Sequence, residues 1–113
     1  MDCLFCKIAT GTIPAAKVFE DHEMMAFRDL NPQAPTHILI IPKKHIATLN
    51  EACDEDHALL GKMILKAKNI AQTEGFSDTG YRLVFNVNPH GGQTVFHIHL
   101  HLLGGRQMSW PPG

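Results

Sequence analysis

Eight histidines occur in 113 residues, and three of them, His97, His99 and His101, alternate with Ile98, Leu100 and Leu102 in one short run. In a strand, alternate side chains share one face, so the three imidazoles are expected to point the same way, with successive Cα atoms about 6.5–7 Å apart. That is close enough to converge on one small group or one metal ion, while Ile98, Leu100 and Leu102 turn to the core. Two chemistries follow. Histidines one residue apart on a strand can ligate zinc and leave a position open for metal-bound water. Alternatively, a neutral imidazole is itself the nucleophile, and its neighbours carry protons and bind phosphate, because histidine titrates near neutrality. The upstream residues Gly91-Gly92-Gln93-Thr94 favour the second: two positions without a Cβ let backbone N–H groups approach an anion, followed by an amide and a hydroxyl. A further pair, Cys3-Leu4-Phe5-Cys6, has Cys-x-x-Cys spacing. A redox reading is weak here, since no strand-to-helix thioredoxin pattern precedes the pair.

These residues need elements to hold them. Leu4, Phe5 and Ile8 have helical spacing over a short N-terminal helix that must stop before Gly11 and Pro14. Lys17–Glu20 and Met24–Arg28 read as strands joined at Asp21-His22-Glu23, and the proline-bracketed loop Asn31–Pro35 leads into a strand from His37 to Pro42. Leu59, Leu60, Met63, Ile64, Ala67, Ile70 and Ala71 form the buried stripe of one long helix, with Asp54 as N-cap and Gly75 as its stop. Tyr81–Val87 and Val95–Leu103 read as the two longest strands, separated by a turn at Asn88–Gly92. The class predicted is α+β: a five-stranded antiparallel sheet with the long helix packed on one face.

Composition bounds the function. A chain of 113 residues, 44% hydrophobic and 19% charged, is long enough for one domain spanning 1–113 and rich enough for a core. Ten basic against eleven acidic residues leave no positive excess to track a nucleic-acid backbone. The longest aliphatic run, Ile38–Ile41, is far short of the roughly 20 residues that span a bilayer. Three cysteines, an odd number, and a start without a secretory pattern lead us to expect a cytoplasmic chain. Cys53 reads as structural.

The run His97-Ile98-His99-Leu100-His101-Leu102-Leu103 resembles the signature of the histidine triad family, His-φ-His-φ-His-φ-φ. The resemblance extends through Phe27-Arg28-Asp29, Pro32–His37, Ile41–His45, Gly91-Gly92-Gln93 and Trp110-Pro111-Pro112-Gly113, nearly the whole chain. It is nearest to the branch of histidine-triad nucleotide-binding proteins, the Hint branch, whose members are homodimeric purine nucleoside phosphoramidases. His101 stands where the transferase branch has glutamine, which implies hydrolysis rather than nucleotide transfer. By this resemblance His99 is the nucleophile, forming a nucleotidyl-histidine intermediate, with His37, His97 and His101 completing the catalytic set and no metal needed for catalysis. Asn86, Gly92, Gln93 and Thr94 match the phosphate region, Asp29 the ribose contact, and Phe5, Ile8, Phe27 and Leu30 the base cleft.

Some members of the family bind structural zinc through residues matching Cys3, Cys6, His45 and His97. A residue that ligates zinc cannot also carry protons, so the two assignments of His97 compete. The family's C-terminal tail crosses to the neighbouring subunit, which implies a homodimer in which residues 104–113, Trp110 above all, reach the partner's site. Two other functions stay open at this stage: a nucleotide-sensing module with slow turnover, and a zinc-dependent hydrolase using the histidine run as ligands.

Overall fold

In the computed structural model, which describes residues 3–113, the chain runs α1 (Leu4–Ala9), β1 (Lys17–Glu20), β2 (Met24–Arg28), β3 (Thr36–Pro42), α2 (His57–Glu74), β4 (Tyr81–Val84), α3 (Asn88–Gly91) and β5 (Leu100–Gly104). The five strands make one antiparallel sheet in the order β1-β2-β3-β5-β4. The α+β class, the strand number and the two principal helices agree with the sequence reading.

Strand alternation divides the core in two. Met24, Ala26, Ile38, Ile40, Leu100 and Leu102 face one side, where Met63, Ala67, Ile70 and Ala71 of α2 cover them. Met25, Phe27, Leu39 and Ile41 face the other, where Phe5 and Ile8 of α1 cover them. The sheet is therefore buried on both faces, not one, and β2 and β3 read as nearly continuous apolar runs for that reason. The face under α1 is the one that carries the histidines.

The long helix departs from the reading at its start and at one position of its stripe. A 3₁₀ turn, Asp54–Asp56, precedes α2, so the expected Asp54 cap passes to Asp56, whose carboxylate accepts the Cys53 N–H at 3.0 Å and the Lys44 ammonium at 2.6 Å. Ile64 is 45% exposed: it follows Met63 and is rotated roughly 100° off the buried stripe. Gly75 does end α2, with φ +93°.

The last two strands are shorter than predicted, and β3, at seven residues, is the longest. Pairing stops at Val84↔His101 and Ile40↔Leu100, because the Ile98 N–H is taken by the Ile46 carbonyl at 2.8 Å and α3 fills the turn. His97 therefore lies outside the ladder. No helix among the described residues is long and apolar enough to cross a membrane.

Candidate active site

Between α1 and the sheet lies a cavity of about 300 Å³. Of the residues singled out from the sequence, Phe5, Ile8, Phe27, Asp29, Leu30, Thr94, His99 and His101 line it. Phe5 stands edge-on to Phe27 (centroids 5.5 Å apart) and to His99 (5.0 Å), so α1 brings an aromatic wall directly against a triad ring. Leu30, at 98% exposed, sits at the mouth. The sequence reading missed Ile13, Pro14 and Ala16, which also line the cavity. They follow the α1 stop in an irregular segment, where apolar residues show no period to recognise.

Proton positions follow from hydrogen-bond partners. His99 Nδ1 lies 2.9 Å from the His97 carbonyl, which only accepts, so Nδ1 carries the proton and Nε2 keeps its lone pair. The Gln33 N–H donates to His37 Nδ1 at 3.0 Å, which places the His37 proton on Nε2. That nitrogen is 2.8 Å from His101 Nδ1 and 3.4 Å from an Asp29 carboxylate oxygen. Donation to His101 Nδ1 leaves the His101 proton on Nε2, which is buried and has no partner in the protein. Of the two imidazoles among the lining residues, His99 thus keeps a lone pair at Nε2 and His101 a buried N–H at Nε2.

The glycine loop is tied down by its own polar groups. The Gly92 N–H bonds the Pro89 carbonyl and caps α3 with φ +84°, and the Gln93 N–H bonds the Asn88 carbonyl. Gln93 is buried, and its amide accepts from the Asn88 N–H and donates to the Ala47 and Val95 carbonyls. Gly92 and Gln93 therefore use these groups to fix the loop. Asn86 lies past the end of β4 and, like Gly92 and Gln93, is not among the lining residues. Thr94 is, and it is exposed.

The HIT domain family model matches residues 10–108. The chain belongs to this family. Among solved structures it is similar to a HIT family hydrolase from Legionella pneumophila Philadelphia 1, at 68% identity and TM-score 0.98, covering 99% of this chain and 100% of that one. It is also similar to a histidine triad nucleotide-binding protein from Candida albicans (31% identity, TM-score 0.83, covering 97% and 83%). A zinc-bound histidine triad family protein from Mycobacterium smegmatis matches at 33% identity and TM-score 0.81, covering 94% and 76%. In broad terms the family and these neighbours assign a nucleotide-binding hydrolase role.

In this HIT protein His97 turns away from the cavity. Its Nε2–H donates to the Pro42 carbonyl at 2.7 Å, which leaves the Nδ1 lone pair facing Cys3 Sγ (3.4 Å), Cys6 Sγ (3.5 Å) and His45 Nδ1 (3.2 Å). The expectation that all three triad rings share one direction fails at His97, because it precedes the first paired residue of β5. A tetrahedron of two thiolates and two imidazoles at ordinary zinc bond lengths has edges of about 3.3–3.8 Å, so this donor set fits zinc. Burial and the Cys3 thiol raise the Cys6 thiol above its ordinary pKa, so binding would release protons. Among the described residues the triad histidines form no ligand group of their own. Asp29, His37 and His101 do cluster, but their nitrogens sit at hydrogen-bond distance, closer than the roughly 3.3 Å of two nitrogens on one zinc. Trp110 is 82% exposed, and the tail before it is tied down by Arg82, which donates to the Ser109 carbonyl at 2.8 Å.

Burial keeps these rings neutral. It lowers His37, His97 and His99, and with His99 and His37 nearby it pushes His101 down to about 4. Between pH 4 and 6.5 the unfolded chain holds a proton at residue 101 that the folded chain does not, so stability falls as pH falls through this window. Denaturant unfolding from pH 8 to 4 is expected to show that loss, and His101→Gln to flatten it. An equal pH slope in the two proteins would contradict a neutral buried His101.

Proposed function

We propose that this HIT protein hydrolyses purine nucleoside 5′-phosphoramidates, with His99 as the nucleophile. The observation that carries the reading is the bond from His99 Nδ1 to the His97 carbonyl at 2.9 Å, which leaves a bare Nε2 in the wall of a nucleotide-sized cavity. In the first step Nε2 forms a bond to the α-phosphorus while the phosphorus–nitrogen bond breaks and the amine leaves with a proton from solvent. Positive charge then develops on the His99 ring, where the His97 carbonyl accepting from Nδ1–H stabilises it. Water next attacks phosphorus, the His99 bond breaks, and nucleoside monophosphate is released. One hard displacement becomes two easier ones.

The other residues have parts in this reading. The buried His101 Nε2–H donates to a phosphoryl oxygen without giving up its proton, and an otherwise unpaired buried donor is accounted for in this way. Asp29 keeps acceptor capacity for both ribose hydroxyls, although one of its oxygens takes the Asn31 N–H. Phe5, Ile8 and Phe27 offer a flat base an apolar wall, and the purine preference rests on the resemblance to the Hint branch. Cys3, Cys6, His45 and His97 would hold a zinc ion that would fasten the start of α1 to the β5 approach, and none of the four lines the cavity. His97 is then a positioning residue, not a proton carrier. Three free cysteines suit a reducing, cytoplasmic setting.

Three measurements test this. Intact mass after mixing with an adenosine phosphoramidate is expected to show a nucleotidyl adduct in the wild type and none in His99→Asn, with nucleotide affinity retained and kcat lowered on the order of 10³-fold or more. Near-normal turnover in that variant would falsify the nucleophile, and binding without any adduct would leave a sensing module. Protein purified without chelator is expected to carry one zinc per chain, lost in Cys3→Ser/Cys6→Ser together with thermal stability, while phosphoramidase activity persists. Zinc retained by the double variant would move the site elsewhere. For the exposed Trp110 we expect a homodimer in which the tail shapes the partner's leaving-group end. Sedimentation at micromolar concentration should find dimers, and truncation after Arg106 should alter preference among leaving amines. A monomer would remove the basis of that assignment.

A further inference from the structure

Arg106 lies two residues beyond β5 and plays no part in the reading above, yet it reaches the loop that precedes β3. Its Nε and Nη2 both donate to the Gln33 carbonyl, at 3.1 and 3.0 Å, and its Nη1 donates to the Gln107 carbonyl at 3.1 Å. The chain is pressed against the same loop just before it. A Cβ at Gly105 would lie 2.9 Å from Pro35 Cβ, and the φ of +93° there favours glycine. The other side of residue 33 is the N–H that donates to His37 Nδ1 at 3.0 Å. Both peptide groups of Gln33 are therefore held, one by Arg106 and one by His37.

We propose that Arg106 is a positioning residue that, through the Gln33 backbone, sets the proton order of the His37–His101 pair. With the Gln33 N–H fixed on His37 Nδ1, the order is His37 Nε2–H to His101 Nδ1, and His101 presents an N–H to the cavity. The alternative is the mirror arrangement. If the loop releases Nδ1, the His37 proton can sit there, His37 Nε2 becomes the acceptor, and the His101 proton moves to Nδ1. His101 Nε2 then presents a lone pair, which repels a phosphoryl oxygen. No proton is gained or lost; only its place on each ring changes. Arg106 is not among the charges acting on His37, which are Asp29 and His99, so its influence passes through hydrogen-bond geometry.

The test reads the nitrogens directly. Long-range proton–nitrogen spectra of ¹⁵N-histidine-labelled wild type should show His37 and His101 both protonated at Nε2 and bare at Nδ1. Arg106→Ala should give a mixture at both rings together while His99 keeps Nδ1–H, and Arg106→Lys should restore part of the wild-type pattern. In the kinetic arm, which rests on the phosphoramidase reading, kcat should fall about three- to tenfold with KM little changed, following the share of chains left in the productive order. Wild-type protein with a proton on His37 Nδ1 would overturn the proposal, whether or not the variants fold. So would Arg106→Ala with an unaltered nitrogen pattern, even if its melting temperature drops. Because the spectra need no turnover, they judge the proton order even if the substrate assignment fails.

Discussion

An imidazole can be a nucleophile or a donor at one ring nitrogen only when something else decides the proton at the other. In this protein the backbone decides it. The His97 carbonyl takes the His99 proton to Nδ1, the Pro42 carbonyl takes the His97 proton to Nε2, and the Gln33 N–H denies His37 a proton at Nδ1. Rings of one residue type, neutral because they are buried, thereby come to differ: a bare nitrogen at 99, a donor at 101 and, at 97, a lone pair turned toward two thiols and a second imidazole. Backbone groups are suited to this because the chain around them is fixed: Pro42 ends β3, the Ile98 N–H beside His97 is bonded to Ile46, and Arg106 holds the Gln33 carbonyl.

That constraint explains why β5 begins late. Continued as a strand to Val95, the chain would have kept all three histidines on one face and His97 in the cavity. Withdrawal of residues 95–99 from pairing costs ladder bonds, but Ile98 recovers one at Ile46. His97 is then free to turn toward Cys3, Cys6 and His45 while its carbonyl stays within reach of His99. The same short segment thus faces two sites. Phe5, between the two cysteines, packs on both His97 and His99, so α1 closes the cavity with the element that closes the thiol cluster.

The two covers of the sheet divide the labour. α2, eighteen residues long, buries one face with aliphatic side chains and contributes nothing to the cavity. α1, six residues long, buries the other face only in part, and the uncovered remainder, walled by Phe27, Leu39 and the segment around Pro14, is the cavity. Local thinness of the second layer is what makes room for a ligand over a sheet otherwise buried on both sides.

Much of this was legible in the sequence alone. A repeat of 3.6 residues located α2, because one buried side imposes it, and short apolar runs between turn residues located the strands, because both faces of the sheet are covered. The His-x-His-x-His run and Cys-x-x-Cys picked out side chains that meet at the cavity and at the thiol cluster, because few residue types are suited to such chemistry. Tertiary structure alone decided where β4 and β5 stop, since pairing ends where another segment takes the next backbone group, as Ile46 takes the Ile98 N–H. It also decided that Gly92 and Gln93 spend their polar groups inside the loop, that Ile13, Pro14 and Ala16 complete the cavity, and which nitrogen of each histidine holds the proton. Those outcomes depend on carbonyls and N–H groups contributed by segments up to 55 residues distant, such as Pro42 for His97. Every residue has the same backbone groups, so no sequence pattern marks which of them will be brought to a ring.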